Sequence, residues 1–87
     1  MATSNLTITT EWSKIAEDSD DPVLIQAAYG FEYEVATVAT DTAPVVIGHK
    51  ILRGTYNAIT RSMLGPGFIY ARVTDDNITS TTLVVSK

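Results

Sequence analysis

Cysteine is absent from this chain, which rules out disulfides and thiolate-bound zinc. Histidine occurs once, as His49, so a histidine cluster for a metal cannot be assembled either. Basic residues are few and scattered: Lys14, Lys50, Arg53, Arg61, Arg72 and Lys87 face ten acids, for a net charge of −4. Binding nucleic acid calls for clustered Lys and Arg to neutralise phosphates, so no nucleic-acid partner is expected. Long hydrophobic runs are missing too. None approaches the roughly 20 apolar residues that span a bilayer, and no membrane role is expected. The opening "MATSNLTITTEW" lacks a basic stretch followed by an apolar one, so it is not read as a secretory signal. The sequons at Asn5 and Asn77 are accordingly read as chance matches in a Thr-rich chain.

At 87 residues and 9.4 kDa the chain makes one domain, residues 1–87, with a modest core. Small domains gain stability from disulfides, metals or association. With the first two excluded, association with other chains is the remaining source.

What the chain does contain is β-branched side chains. Thirteen Thr, eight Val and eight Ile make up a third of it. Stiff at χ1, these residues suit a pleated surface better than a helix, and the fold class expected is all-β. Alternation of Leu6, Ile8, Thr10 and Trp12 with Thr7, Thr9 and Glu11 predicts a first strand. "VLIQAA" from Val23 predicts a second, apolar enough to be buried on both faces. "FEYEVATV" reads as a strand with one wet face carrying Glu32 and Glu34, joined to the previous one by a hairpin at Tyr29-Gly30. In "VVIGHKILRG" Gly48 signals a bulge or a close backbone approach, so this segment divides into two short strands. "TYNAITRSML" has too much Thr, Asn and Tyr for a good helix and is expected as a long loop or irregular strand. Strands over Phe68–Thr74 and Ile78–Ser86 complete a small sandwich or barrel of six to seven short, mainly antiparallel strands.

Catalytic and metal chemistry find little to stand on. Glu17-Asp18-Ser19-Asp20-Asp21 is acidic enough for calcium but lacks the glycine and closing glutamate of an EF-hand, and reads as a solvated turn. His49 has no Ser or Cys partner motif and reads as a structural or interface residue. Glu32 and Glu34 share a strand face, but nothing apolar is evident to raise either pKa, so solvated surface is expected. "GPG" at 65–67 lacks the lysine and helix of a phosphate loop, and its glycines read as positions of positive φ around Pro66. No cofactor, no metal and no enzymatic activity are expected.

The strand in "GPGFIYARV" is apolar on both faces. Ile69, Ala71 and Val73 make one face, and Phe68, Tyr70 and Arg72 the other. In so small a domain the second face needs a cover. It is expected to contact another subunit, with Ile51 and Trp12 contributing and Arg72 either snorkelling at the rim or pairing across subunits with Glu32, Glu34 or an acid of the 17–21 turn. A different use of the aromatics is a sugar-stacking platform, which would require two or more of Trp12, Tyr29, Tyr33 and Tyr56 to be exposed and coplanar.

The succession "EWSKIA", "VLIQ", "YEVA", "APVVIGHKILRG", "GPGFIYARV" and "TLVVS" resembles small β-rich virion proteins of tailed bacteriophages, over Trp12 to Ser86. The resemblance implies a capsid decoration or cement protein that sits as a homotrimer on the outer head surface, or else a module associated with the tail or fibre. Its partners would be further copies of itself and the major capsid protein or other virion proteins, and its location the virion. Residues 1–5, polar and small, are expected to form a flexible arm, with Ala2, Thr3, Ser4 and Asn5 touching the capsid.

Overall fold

A computed structural model describes residues 2–87 and places them in two four-stranded antiparallel sheets that share one core. In chain order the elements are β1 (Thr3–Thr9), β2 (Ser13–Ala16), β3 (Leu24–Ala27), β4 (Tyr33–Val38), β5 (His49–Ile51), β6 (Ile59–Thr60), a one-turn helix α1 (Arg61–Leu64), β7 (Phe68–Val73) and β8 (Ser80–Ser86). The first sheet runs β1-β8-β3-β6 and the second β2-β7-β4-β5. The all-β expectation holds, with eight strands in place of six to seven. Among the described residues no helix is long and apolar enough to cross a membrane.

Strand parity builds the core. Ile8, Ile25, Leu83 and Val85 point inward from the first sheet to meet Ile15, Tyr33, Val35, Ile69, Ala71 and Val73 from the second. Each large aliphatic side chain so buried contributes about 1.5–3 kcal/mol relative to exposure.

Several boundaries differ from the sequence reading, each for a physical reason. The residues expected as a flexible arm lie in a paired strand: Thr3, Ser4 and Asn5 oppose Ser86, Val85 and Val84. Ala2 also exchanges backbone hydrogen bonds with Lys87. Met1 lies outside the described residues. The alternation through Trp12 hides a corner, because the chain leaves the first sheet after Thr9 and enters the second at Ser13. There the Thr9 hydroxyl accepts a bond from the Glu11 amide at 3.3 Å, a local turn that competes with ladder pairing. β3 is buried on one face only, with Leu24 and Gln26 exposed. Nor is there a hairpin at Tyr29-Gly30, since β3 and β4 belong to different sheets.

Only His49–Ile51 of "VVIGHKILRG" is a strand, and Gly48 has its backbone against β4. A Cβ there would stand 2.5 Å from the Val35 carbonyl oxygen, so the close approach read from the sequence is present. "TYNAITRSML" yields the two-residue β6 and α1.

Candidate interaction surface

The two outer sheet faces have opposite chemistry. On the second sheet the outward residues of β7 pair with those of β4: Phe68 with Val38, Tyr70 with Ala36, Arg72 with Glu34. Arg72 donates to Glu34 Oε1 from Nε at 3.1 Å, and its terminal nitrogen lies 3.0 Å from the same oxygen. Trp12 covers the guanidinium at 4.4 Å. Glu34, expected as a solvated carboxylate, is 1% exposed beneath this lid. The ion pair of Arg72 is thus made within the chain, with Glu34, one of the acids weighed as its partner across subunits.

Tyr70 is covered in the same way. Its hydroxyl donates to Asp41 Oδ1 at 2.6 Å, and Lys14 donates to Asp41 Oδ2 at 2.7 Å. The Lys14 ammonium, followed by the Tyr70 hydroxyl, holds Asp41 below its usual carboxylate range, and the same bond to Asp41 pushes Tyr70 upward. Lys14 also sits 5.7 Å from the Phe68 ring. Of the five residues expected at a subunit interface, Tyr70 and Ile51 are buried within their own chain, while Trp12, Phe68 and Arg72 are half-buried. The cover that the sequence reading sought in a second subunit comes largely from Trp12, Lys14 and Asp41.

The first sheet's outer face carries no charged side chain among the described residues. Its outward residues are Thr3, Asn5, Thr7 and Thr9 on β1, Ser80, Thr82, Val84 and Ser86 on β8, and Leu24 and Gln26 on β3. Thr3 and Ser86 hydroxyls meet at 2.7 Å across the pair. Interface centres are depleted of charged residues because desolvating an ion is costly, so this face is suited to being covered. Thr3 and Asn5, two of the expected capsid-contact residues, lie on it, Ser4 has the inward parity, and Ala2 is exposed just before the strand.

The sandwich edges supply two polar nodes that sequence reasoning missed. Arg61, at the start of α1, is buried and donates to four carbonyl oxygens: Asp20 at 2.8 Å, Glu17 at 2.5 Å, Gly65 at 3.2 Å and Gly67 at 2.6 Å. These bonds organise the acidic turn, whose Asp20 also caps the Glu17 amide at 2.8 Å. Asp75 is the second node. Its carboxylate takes two bonds from Arg53, at 3.0 and 2.6 Å, and two from the backbone amides of Glu32 and Asn77. Arg53 above all, then the Asn77 and Glu32 amides, hold Asp75 well below the usual carboxylate range. No signal in the sequence marks either node, because the partners are backbone groups or lie tens of residues away.

The acidic turn shows no group of three or more metal-ligating side chains, nor does any other place among the described residues. His49 is exposed on the edge strand β5. Of the aromatics weighed for sugar stacking, Tyr29 and Tyr56 are exposed, Trp12 is half-buried against Arg72, and Tyr33 is fully buried. The Tyr33 hydroxyl has no hydrogen-bond partner among the described residues, and burial pushes it up to about 12. No family model matches the chain, and no curated protein or solved structure does.

Proposed function

We propose that the protein is a non-enzymatic structural component of a phage virion, a homotrimeric decoration protein that stabilises the outer head surface. The observation that carries this reading is the uncharged outer face of the first sheet, contiguous over β1, β8 and β3. Such a face can be buried against a larger protein surface without stranding an ion, and its hydroxyl groups can exchange water for partner hydrogen bonds. Thr3 and Asn5 then touch the capsid as members of a strand rather than as a loose arm. The sequence resemblance to small virion proteins supplies the partner class.

The mechanism is mechanical. Each copy removes apolar and hydroxyl surface from water, at about 25 cal/mol per Å² of apolar area, and several copies clamp neighbouring capsomers. Tail or fibre association uses the same face against a different virion protein. A glycan-binding role draws on Tyr29 and Tyr56, the two exposed tyrosines among those weighed.

Light scattering behind size exclusion tests the assembly state, and three times the 9.4 kDa chain mass is expected. A species that stays monomeric at all concentrations overturns the trimer. Gold labelling of particles carrying the protein tests its place. Label on the head supports decoration, and label confined to the tail overturns it.

A further inference from the structure

Neither sheet face supplies an evident contact between copies: one is covered by the chain's own ions, and the other is assigned above to the capsid. An open apolar side of the sandwich lies between the edge strands β5 and β6. A cavity of about 270 Å³ opens there, lined by Val35, Ile51, Ile59, Met63 and Leu64, with His49 and Lys50 at its polar side. Next to it in the chain, just before β5, runs Val45-Val46-Ile47, with Val45 99% and Ile47 84% exposed. Met63 and Leu52 are also more than half exposed.

We propose that a second copy of this chain fills the seam, the Val45–Ile47 segment of one copy lying over Met63 and Ile59 of the next. The proposal deepens the homotrimer reading and rests on it. Three observations support the occupant. The first is area: the five exposed residues hold roughly 200–450 Å² of apolar surface, at the ~60–120 Å² implied for each aliphatic side chain by its transfer energy. Interfaces are a little over half apolar, so each head-to-tail contact buries roughly 400–800 Å² over both partners, below the ~1,600 Å² of a standard interface, and a closed ring of three such contacts brings the total to roughly 1,200–2,400 Å².

The second is supply. Projecting apolar segment and apolar cavity are both present on one chain, as a head-to-tail contact requires, and such contacts form a ring when the rotation between copies closes and a filament when it does not. The third is the backbone. β5 pairs with β4 on one side only, which leaves an edge whose outward amides and carbonyls can pair with an extended segment. Gly48 keeps the backbone of this segment close against β4 at Val35, which anchors its C-terminal end.

The absence of cysteine gives a direct test, because any disulfide must join introduced residues. Ile47→Cys and Met63→Cys are made separately, mixed, and oxidised with the chains folded and again in denaturant. The proposal expects the 47–63 cross-link to rise from about half of the product in denaturant, its statistical share in an equal mixture, to nearly all of it when folded. A folded preference for 47–47 means two-fold edge pairing and overturns the proposal. No enrichment of any pair means that the seam has another occupant, and also overturns it.

Light scattering on Val45→Ser/Ile47→Ser separates this inference from the broader one. Loss of the trimer in a chain that still melts cooperatively supports the seam contact. A variant that stays trimeric overturns the seam contact while leaving the trimer standing. A wild type that is monomeric overturns both.

Discussion

Arg72 bridges Trp12 and Glu34: its guanidinium lies 4.4 Å under the indole and 3.0 Å from a carboxylate that water scarcely reaches. Removing the cation leaves Glu34 charged and buried without a counterion. Breaking a fully buried pair costs roughly 3–5 kcal/mol, and because Arg72 is a third exposed, Arg72→Ala is expected to destabilise by about 2 kcal/mol. Glu34→Gln in the same background should restore part of the loss. Urea denaturation of the two single variants and the double variant measures the coupling, and strictly additive effects would show that the pair contributes nothing.

Arg61 serves four carbonyls with a planar fork. A lysine keeps the charge but not the geometry, since a single ammonium cannot span acceptors that belong to two separate loops. Arg61→Lys is therefore expected to cost about 2–4 kcal/mol, through buried carbonyls left without donors. Hydrogen exchange should show the loss concentrated at residues 17–21 and 65–67. Retention of wild-type stability would contradict the role assigned to Arg61.

Asp75 predicts a response to acid. Its folded-state pKa is depressed by Arg53 and two amides, so its contribution is complete above the unfolded carboxylate value of about 3.9 and is lost as pH falls through the folded value. Denaturation midpoints should fall between pH 5 and pH 2 in the wild type. In Asp75→Asn the fall should be shallower and the starting midpoint lower. Asp41, also depressed, leaves a residual slope in that variant.

Tyr33 carries a buried hydroxyl with no partner among the described residues. Tyr33→Phe removes that polar group and leaves the ring packing in place, so stability should rise by about 1 kcal/mol, the lower end of what an unsatisfied buried group costs. Spectrophotometric titration offers a second check. One tyrosine should ionise near pH 12, and that late step should vanish in the variant.

Gly67 combines a φ of +127° with a close approach. A Cβ there would stand 2.7 Å from the Val38 carbonyl oxygen and 2.8 Å from the Thr37 methyl carbon. Gly67→Ala should thus lower stability by about 2 kcal/mol or more by thermal melting, combining backbone strain with overpacking.

How far the fold was legible follows from what each residue depends on. The two faces of β7 were readable because parity is local, and Ile69, Ala71 and Val73 do face the core. The outward direction of Glu34 was readable for the same reason. Its burial was not, because that is imposed by Trp12, 22 residues before it, and Arg72, 38 residues after it. The corner at Thr10–Trp12 escaped because alternation survives a change of sheet. Arg61 escaped because a carbonyl cage has no side-chain signature. The uncharged face escaped as well: its members lie on three strands, and only the register of β1 and β3 on β8 collects them.

That register has a consequence for how the chain is made. β8, the last strand, stands between β1 and β3, and Thr3 meets Ser86 across nearly the whole sequence. A ribosome releases β1 and β3 long before the strand that joins them exists. The first sheet can therefore close only after β8 has been made, and with so many distant pairings its closure is expected to be slow. Until then the hydroxyl-lined face exists only as separate strands, so any partner that binds it must wait for that closure.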